Sequence, residues 1–143
     1  MFGDNFFWNF MAPLQDFADW GFLGLRLALG AIFISHGLSK HGMWKVAPSE
    51  QMSRGMLNTL RFLSVAEPVG ALCVMFGLFT QIAAAGLALV MIGATYFKMF
   101  KWKTGFVAQN RLGWEFDLIL FAASMALFLN GAGGISLDRL LFF

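Results

Sequence analysis

The sequence predicts an all-α integral membrane fold, a bundle of four transmembrane helices with interfacial segments, organised as one membrane domain over residues 1–143. Three observations lead there. Apolar residues make up 59% of the chain and charged residues 13%, against roughly 25% charged in soluble domains. A soluble sphere of this size cannot enclose that much apolar surface. Four apolar stretches, near 20–39, 62–79, 82–100 and 114–131, each approach the ~20 residues that a helix needs to cross ~30 Å of hydrocarbon. Lysine and arginine, finally, fall almost entirely in the connections between these stretches. The same arithmetic excludes other classes. Eighteen Phe and five Trp are incompatible with a disordered chain, and a net charge of +2 does not make an electrostatic nucleic-acid binder, so no nucleic acid is expected as a partner. The single cysteine, Cys73, excludes an intrachain disulfide, a CxxC redox pair and a c-type haem attachment.

Each element has its own signal. Residues 2–17, with Phe6, Phe7, Trp8 and Phe10 beside Asp4 and Asp16, predict an interfacial segment. They lack the cationic start and small-residue cleavage site of a signal peptide, so the first span is expected to act as the insertion signal. After that span come about 20 residues from Lys40 that contain Pro48 and Ser49, then Met52, Met56, Leu57 and Leu60 at helical spacing. This predicts a short amphipathic helix near 49–60 lying in the interface. Little more than Thr80 and Gln81 joins the second span to the third, which forces an antiparallel hairpin. With four spans, one side carries Lys40, Lys45, Arg54, Arg61, Lys98, Lys101, Lys103 and Arg111, eight of the ten basic residues. By the positive-inside rule that side is cytoplasmic and both termini face outward.

Ionisable residues inside a span cost at least ~2.5 to 3.5 kcal/mol each and need a partner, a water cavity or a task. Glu67 lies about five residues into the second span, too short to snorkel well. It shares a stripe with Gly70, Val74 and Gly77, whose small members let another helix approach closely, so Glu67 is expected to face the bundle. Pro68 follows at once and frees the carbonyl of Ser64 as an acceptor nearby. On the first helix Arg26, Gly30, Phe33 and Gly37 share a face. His36 sits in the same half of the membrane as Glu67, whereas Arg26 lies in the other half. Arg26 either snorkels to Asp16 or Asp19, or turns inward to anchor an anionic or carbonyl-bearing ligand. Glu115 and Asp117 fall in the first turn of the fourth helix, where carboxylates meet the positive end of the helix dipole. Two positions apart, they point about 200° away from each other. Glu115 shares the smaller face with Ile119, Ala122 and Ala126 and is expected to be the inward one, leaving Asp117 to pair with Lys98 or Arg111 at the interface. The expected catalytic groups are therefore His36, Glu67 and Glu115, with Arg26, Gly37 and Gly70 at ligand-binding positions. His36 and His41, five apart, do not share a helical face, so no haem is expected from this chain alone. Without an HExxH or ExxH pattern no metal is expected either.

Three runs carry a family resemblance: RLALGAIFISHGLSK from Arg26 to Lys40, EPVGALCVMFGLFTQ from Glu67 to Gln81, and GWEFDLIL from Gly113. Together with the closing ISLDRLL, Ile135 to Leu141, the pattern resembles the DoxX family of small four-helix membrane proteins. In that family an Arg and a His-Gly in helix one, a Glu followed by small residues in helix two, and a Glu-Phe opening helix four recur. The resemblance runs from about Leu23 to Leu141, and the matching positions are Arg26, His36, Glu67 and Glu115. Pro68 and Val69 stand where the family more often has Leu residues. The resemblance implies a prokaryotic inner-membrane subunit of an oxidoreductase system, quinone-linked in some cases, working with other membrane or peripheral subunits of a redox complex in the lipid bilayer.

Reducing a quinone takes two protons as well as two electrons, and a buried acid beside a histidine can deliver protons. No redox cofactor motif is visible, so electrons would come from a partner chain. Two other readings stand beside this one: a non-catalytic assembly or anchoring subunit packed through its Gly and Phe faces, and a small-solute transporter. Four spans without an internal repeat disfavour the transporter.

Overall fold

The computed structural model describes residues 11–50, 52–109 and 112–142. Among these the secondary structure is all-helical, with no strand. The first long helix, α1 (Ala18–Ser39), runs into a 3-10 turn (Lys40–Lys45). It is followed by α2 (Arg54–Phe76) and by α3 (Thr80–Tyr96), which widens into a π-helical turn (Phe97–Lys101). Helix α4 (Trp114–Asn130) and a short α5 (Leu137–Phe142) complete the chain. Three helices, counted with their end turns as Ala18–Lys45, Arg54–Phe76 and Thr80–Lys101, are long and apolar enough to cross a membrane. Helix α4 has 17 residues, about 26 Å at 1.5 Å per residue, equal to α3 without its π-helical turn and shorter than α1 and α2.

Helix α1 packs chiefly on α2, and α3 on α4; the two pairs meet mainly where α2 touches α3. The core is Leu29, Phe33, Ala71, Val74, Ala84, Leu87, Met91, Leu120 and Leu127. Facing outward, Phe62, Ile82, Leu89 and Leu129 are each more than two-thirds exposed. Water would penalise such a surface at roughly 25 cal/mol per Å², whereas acyl chains solvate it. The expected face of α1 is the buried one: Arg26, Gly30, Phe33 and Gly37 all lie inside, with Leu29. Helix α2 runs unbroken through Pro68.

Two expectations about the connections are corrected or narrowed. In place of the separate interfacial helix expected near 49–60, Ser49 and Met52 exchange backbone hydrogen bonds and the residues from Arg54 on are the first turns of α2. Ser53 Oγ accepts from the Met56 amide at 3.3 Å and caps the helix, and Leu57 is fully buried. Burying Leu57 against the bundle outweighs laying it in the interface. Of the N-terminal segment expected over 2–17, residues 2–10 lie outside the described residues; 11–15 form an exposed helical turn.

The hairpin between α2 and α3 is tight because Gly77 takes a left-handed conformation (φ 67°), with the Leu78 amide donating to Cys73 O at 2.8 Å and the Gly77 amide to Val74 O at 3.1 Å. That pattern closes the open carbonyls at the end of α2. Phe79 is also left-handed (φ 49°). The exposed amides at the start of α3 find their acceptor far along the chain: Asp138 Oδ1 accepts from Phe79 N at 2.7 Å and Oδ2 from Thr80 N at 2.9 Å. In return the Asp138 amide donates to Gly77 O at 2.7 Å. The segment 131–142 thus straps the hairpin end of the bundle.

Candidate functional site

Polar side chains gather at both ends of the bundle, and the richer cluster lies at the end opposite the hairpin. Glu67, 1% exposed, accepts a hydrogen bond from Lys40 Nζ across α1 and α2. Lys40 follows His36 by four residues and so shares its face. As the C-cap of α1 it also places its cation where the helix dipole favours one. Gly37 brings α1 close: Pro68 and the Glu67 Cβ are the groups that face it. A hydrogen-bonded brace fixes this approach. Trp44 Nε1 donates to Ser64 Oγ at 3.0 Å, and Arg61 donates to Met43 O at 3.1 Å and Val46 O at 2.8 Å, tying the 3-10 turn to α2.

A second ion pair comes from α3 and α4. Lys98 Nζ donates to Asp117 Oδ1 at 2.9 Å and to Gly113 O at 3.2 Å. Asp117 is 4% exposed. The π-helical turn carries Lys98 and ends with the Trp102 amide on Phe97 O at 2.9 Å. Such widened turns recur at functional sites.

His36, half-buried, stacks its ring on Phe116 of α4 with centroids 5.7 Å apart and planes at 23°. Lys40, Glu67, Lys98 and Asp117 all lie near enough to act on the imidazole electrostatically. Paired in this way with partly exposed lysines, the two buried carboxylates are tolerable where either alone would not be. Asp117 Oδ2 is buried with no hydrogen-bond partner among the described residues, which leaves the cluster one open acceptor. Among the same residues no group of three or more His, Cys, Asp or Glu is placed to hold a metal ion.

His36 and Glu67 are therefore brought to one level, while Glu115 is not with them. The buried stripe of α4 is Asp117, Leu120, Ser124 and Leu127, so Asp117 is the inward carboxylate. Glu115, half-buried, folds back over its own loop, with Oε2 against Gly113 and the Phe106 carbonyl. The expected pairing of Asp117 with Lys98 is present, but inside the bundle rather than at its rim. Gly37 and Gly70, expected at ligand positions, are instead closed by helix contacts: Gly37 by Pro68, Gly70 by Leu87. Reading the sequence missed Lys98 and Asp117 as members of the cluster, although the first-turn position of Asp117 and the cations near residue 100 were visible.

Arg26 is at the other end. It is 1% exposed, lies against Gly77 and donates from Nη2 to the Ile135 carbonyl. It does not snorkel to Asp16 or Asp19; Asp19 Oδ1 accepts instead from the Gly134 amide at 2.6 Å. The snorkelling alternative thus gives way: Arg26 turns inward and grips the C-terminal strap.

Direct comparison with known proteins shows the family. The DoxX family model matches residues 21–100. The chain belongs to the DoxX family. A Bacillus subtilis (strain 168) protein named "Putative oxidoreductase CatD" is 34% identical to it over 123 residues, covering 85% of this chain and 87% of the relative. No solved structure matches the chain. With its apolar helices, this DoxX chain is a membrane protein.

Proposed function

We propose that this DoxX protein is a membrane subunit of a quinone-linked oxidoreductase system, inserted in a prokaryotic cytoplasmic membrane by four spanning helices with both termini outside. Helix α4 supplies the fourth span, since its 17 mostly apolar residues reach the lower limit of a crossing length of about 17 to 25 residues. The observation that carries the functional reading is His36, stacked on Phe116 within electrostatic reach of two ion pairs whose carboxylates are buried, Lys40–Glu67 and Lys98–Asp117. Such a cluster suits proton transfer. An imidazole can accept and release a proton near neutral pH, and the carboxylates nearby can hand protons on. Reduction of a quinone to a quinol takes up two electrons and two protons. The electrons come from a partner subunit, and the cluster carries the protons from the basic, cytoplasmic side. The CatD relative, named as an oxidoreductase, supports a redox setting. Asp117 takes the place that sequence reading gave to Glu115.

Quinone reduction and complex assembly, measured together in native membranes with Glu67→Gln, test the reading. The amide keeps the size of the side chain and a hydrogen-bonding oxygen but cannot shuttle a proton. Assembly should persist while quinone-dependent turnover is lost. Normal turnover would leave the chain as an anchoring subunit and move the chemistry to its partner.

A further inference from the structure

The hairpin end holds polar atoms that the proton cluster does not use. Arg26, 1% exposed, spends Nη2 on the Ile135 carbonyl, yet Nε and Nη1 have no partner among the described residues. Thr80, fully buried, likewise leaves Oγ1 unpartnered. The two belong to one neighbourhood. Arg26 Nη1 lies against Gly77, three residues before Thr80, and Asp138 binds the Thr80 amide while acting electrostatically on Arg26. Leaving several donors of a buried guanidinium unmade is costly. Immediately outside is a cavity of about 630 Å³, lined by Thr80 and Ser136, by Asp138 and Arg139, and on its apolar side by Phe79 and Phe142. That volume falls within the range of about 300 to 1,000 Å³ usual for small-molecule sites.

We propose that this end of the bundle is a second ligand site, for a monoanion that carries a carboxylate, with Arg26 and Thr80 as the groups that hold it. Asp138 and Asp19 balance Arg26 and Arg139 in charge, but they spend carboxylate oxygens on the amides of Phe79, Thr80 and Gly134 rather than on Arg26. The open guanidinium donors are therefore left for a carboxylate to meet, and a second ligand charge would go unmatched. The Ile135 carbonyl, resting on Arg26 in this structure, stands where a ligand oxygen would bind, so entry displaces the strap by one hydrogen bond. The aromatic pair Phe79 and Phe142, with ring centroids 5.8 Å apart, flanks the mouth and suits an apolar body behind the carboxylate. A soluble aromatic acid and a membrane-dissolved fatty acid share this chemistry.

The test uses the full chain in lipid nanodiscs, titrated with benzoate in one arm and with oleate in the other, and reads binding heat together with thermal unfolding. One of the two ligands should bind saturably and raise the unfolding temperature. Thr80→Val, which keeps the shape and removes the hydroxyl, should weaken binding about tenfold, equivalent to ~1.4 kcal/mol. Arg26→Lys should abolish it, and Glu67→Gln at the opposite end should leave it unchanged, which separates this site from the proton cluster. Binding of neither acid, or binding that Thr80→Val does not alter, overturns the proposal and assigns the open donors to buried water. Because Thr80→Val is conservative, the result stands even if Arg26→Lys fails to fold.

Discussion

Gly37 rests on the ring of Pro68: a Cβ built at position 37 would lie 2.3 Å from Pro68 Cδ. Neither partner can yield, since one is backbone and the other a closed ring within α2. Gly37→Ala must therefore separate α1 from α2, and it should destabilise the protein by about 1 to 3 kcal/mol, as overpacking does. Gly30 provides the contrast. A Cβ there meets first the flexible Met75 side chain, which can rotate away. Thermal unfolding in detergent should rank Gly37→Ala well below Gly30→Ala, and equal losses would refute this account of the α1–α2 contact.

The Lys40–Glu67 pair should behave asymmetrically. Lys40→Met strands a carboxylate that is 1% exposed, at a cost of about 3 to 5 kcal/mol. Glu67→Gln strands a cation whose side chain is 22% exposed and can swing toward water. The double variant should regain most of the stability lost in Lys40→Met. A double-mutant cycle on unfolding free energy measures this, and strictly additive losses would mean that the two side chains are not coupled.

Asp117 and Glu115 should likewise part company. Asp117→Asn removes the counter-ion of a mostly buried Lys98 and should cost on the order of 3 kcal/mol. In Glu115→Gln the new amide sits beside the Phe106 carbonyl and can donate to it. That change should be neutral or stabilising by up to about 1 kcal/mol. Chemical denaturation of the two variants decides which carboxylate the fold depends on.

Membrane orientation is open to a labelling test. In a Cys73→Ser background, Ser49→Cys and Thr104→Cys should both resist a membrane-impermeant thiol reagent in intact cells and react once the membrane is opened. Labelling in intact cells would reverse the orientation and place the His36 cluster on the outer side.

What could be read from the sequence followed from regular periodicity. Arg26, Gly30, Phe33 and Gly37 share a face because a straight helix returns every 3.6 residues, and Glu67 points inward for the same reason. The short link at Thr80 left only a hairpin. Irregular geometry hid the rest. A first-turn position admits either Glu115 or Asp117 as the inward acid. The choice is made by Lys98, which the π-helical turn swings toward α4, and such a turn has no spacing rule to read. Asp138 capping α3 was equally hidden, since nothing local to Phe79 or Thr80 points 58 residues onward. The interfacial helix expected near 49–60 failed because amphipathic spacing suits the first turns of a spanning helix as well as a helix lying on the surface.

The hydrogen bond from Arg26 to Ile135 joins residues 109 positions apart, and this sets a schedule for biosynthesis. At about 5 to 20 residues per second, the first helix is made roughly 5 to 20 seconds before its acceptor leaves the ribosome. Over that interval the arginine must borrow water, lipid headgroups or the insertion machinery for company. Glu67 meets its lysine from a segment already synthesised, so that end of the bundle can settle early. Maturation is therefore directional: the His36 end closes its first ion pair while the chain is still growing, and the hairpin end is sealed only after residues 131–142 have been made.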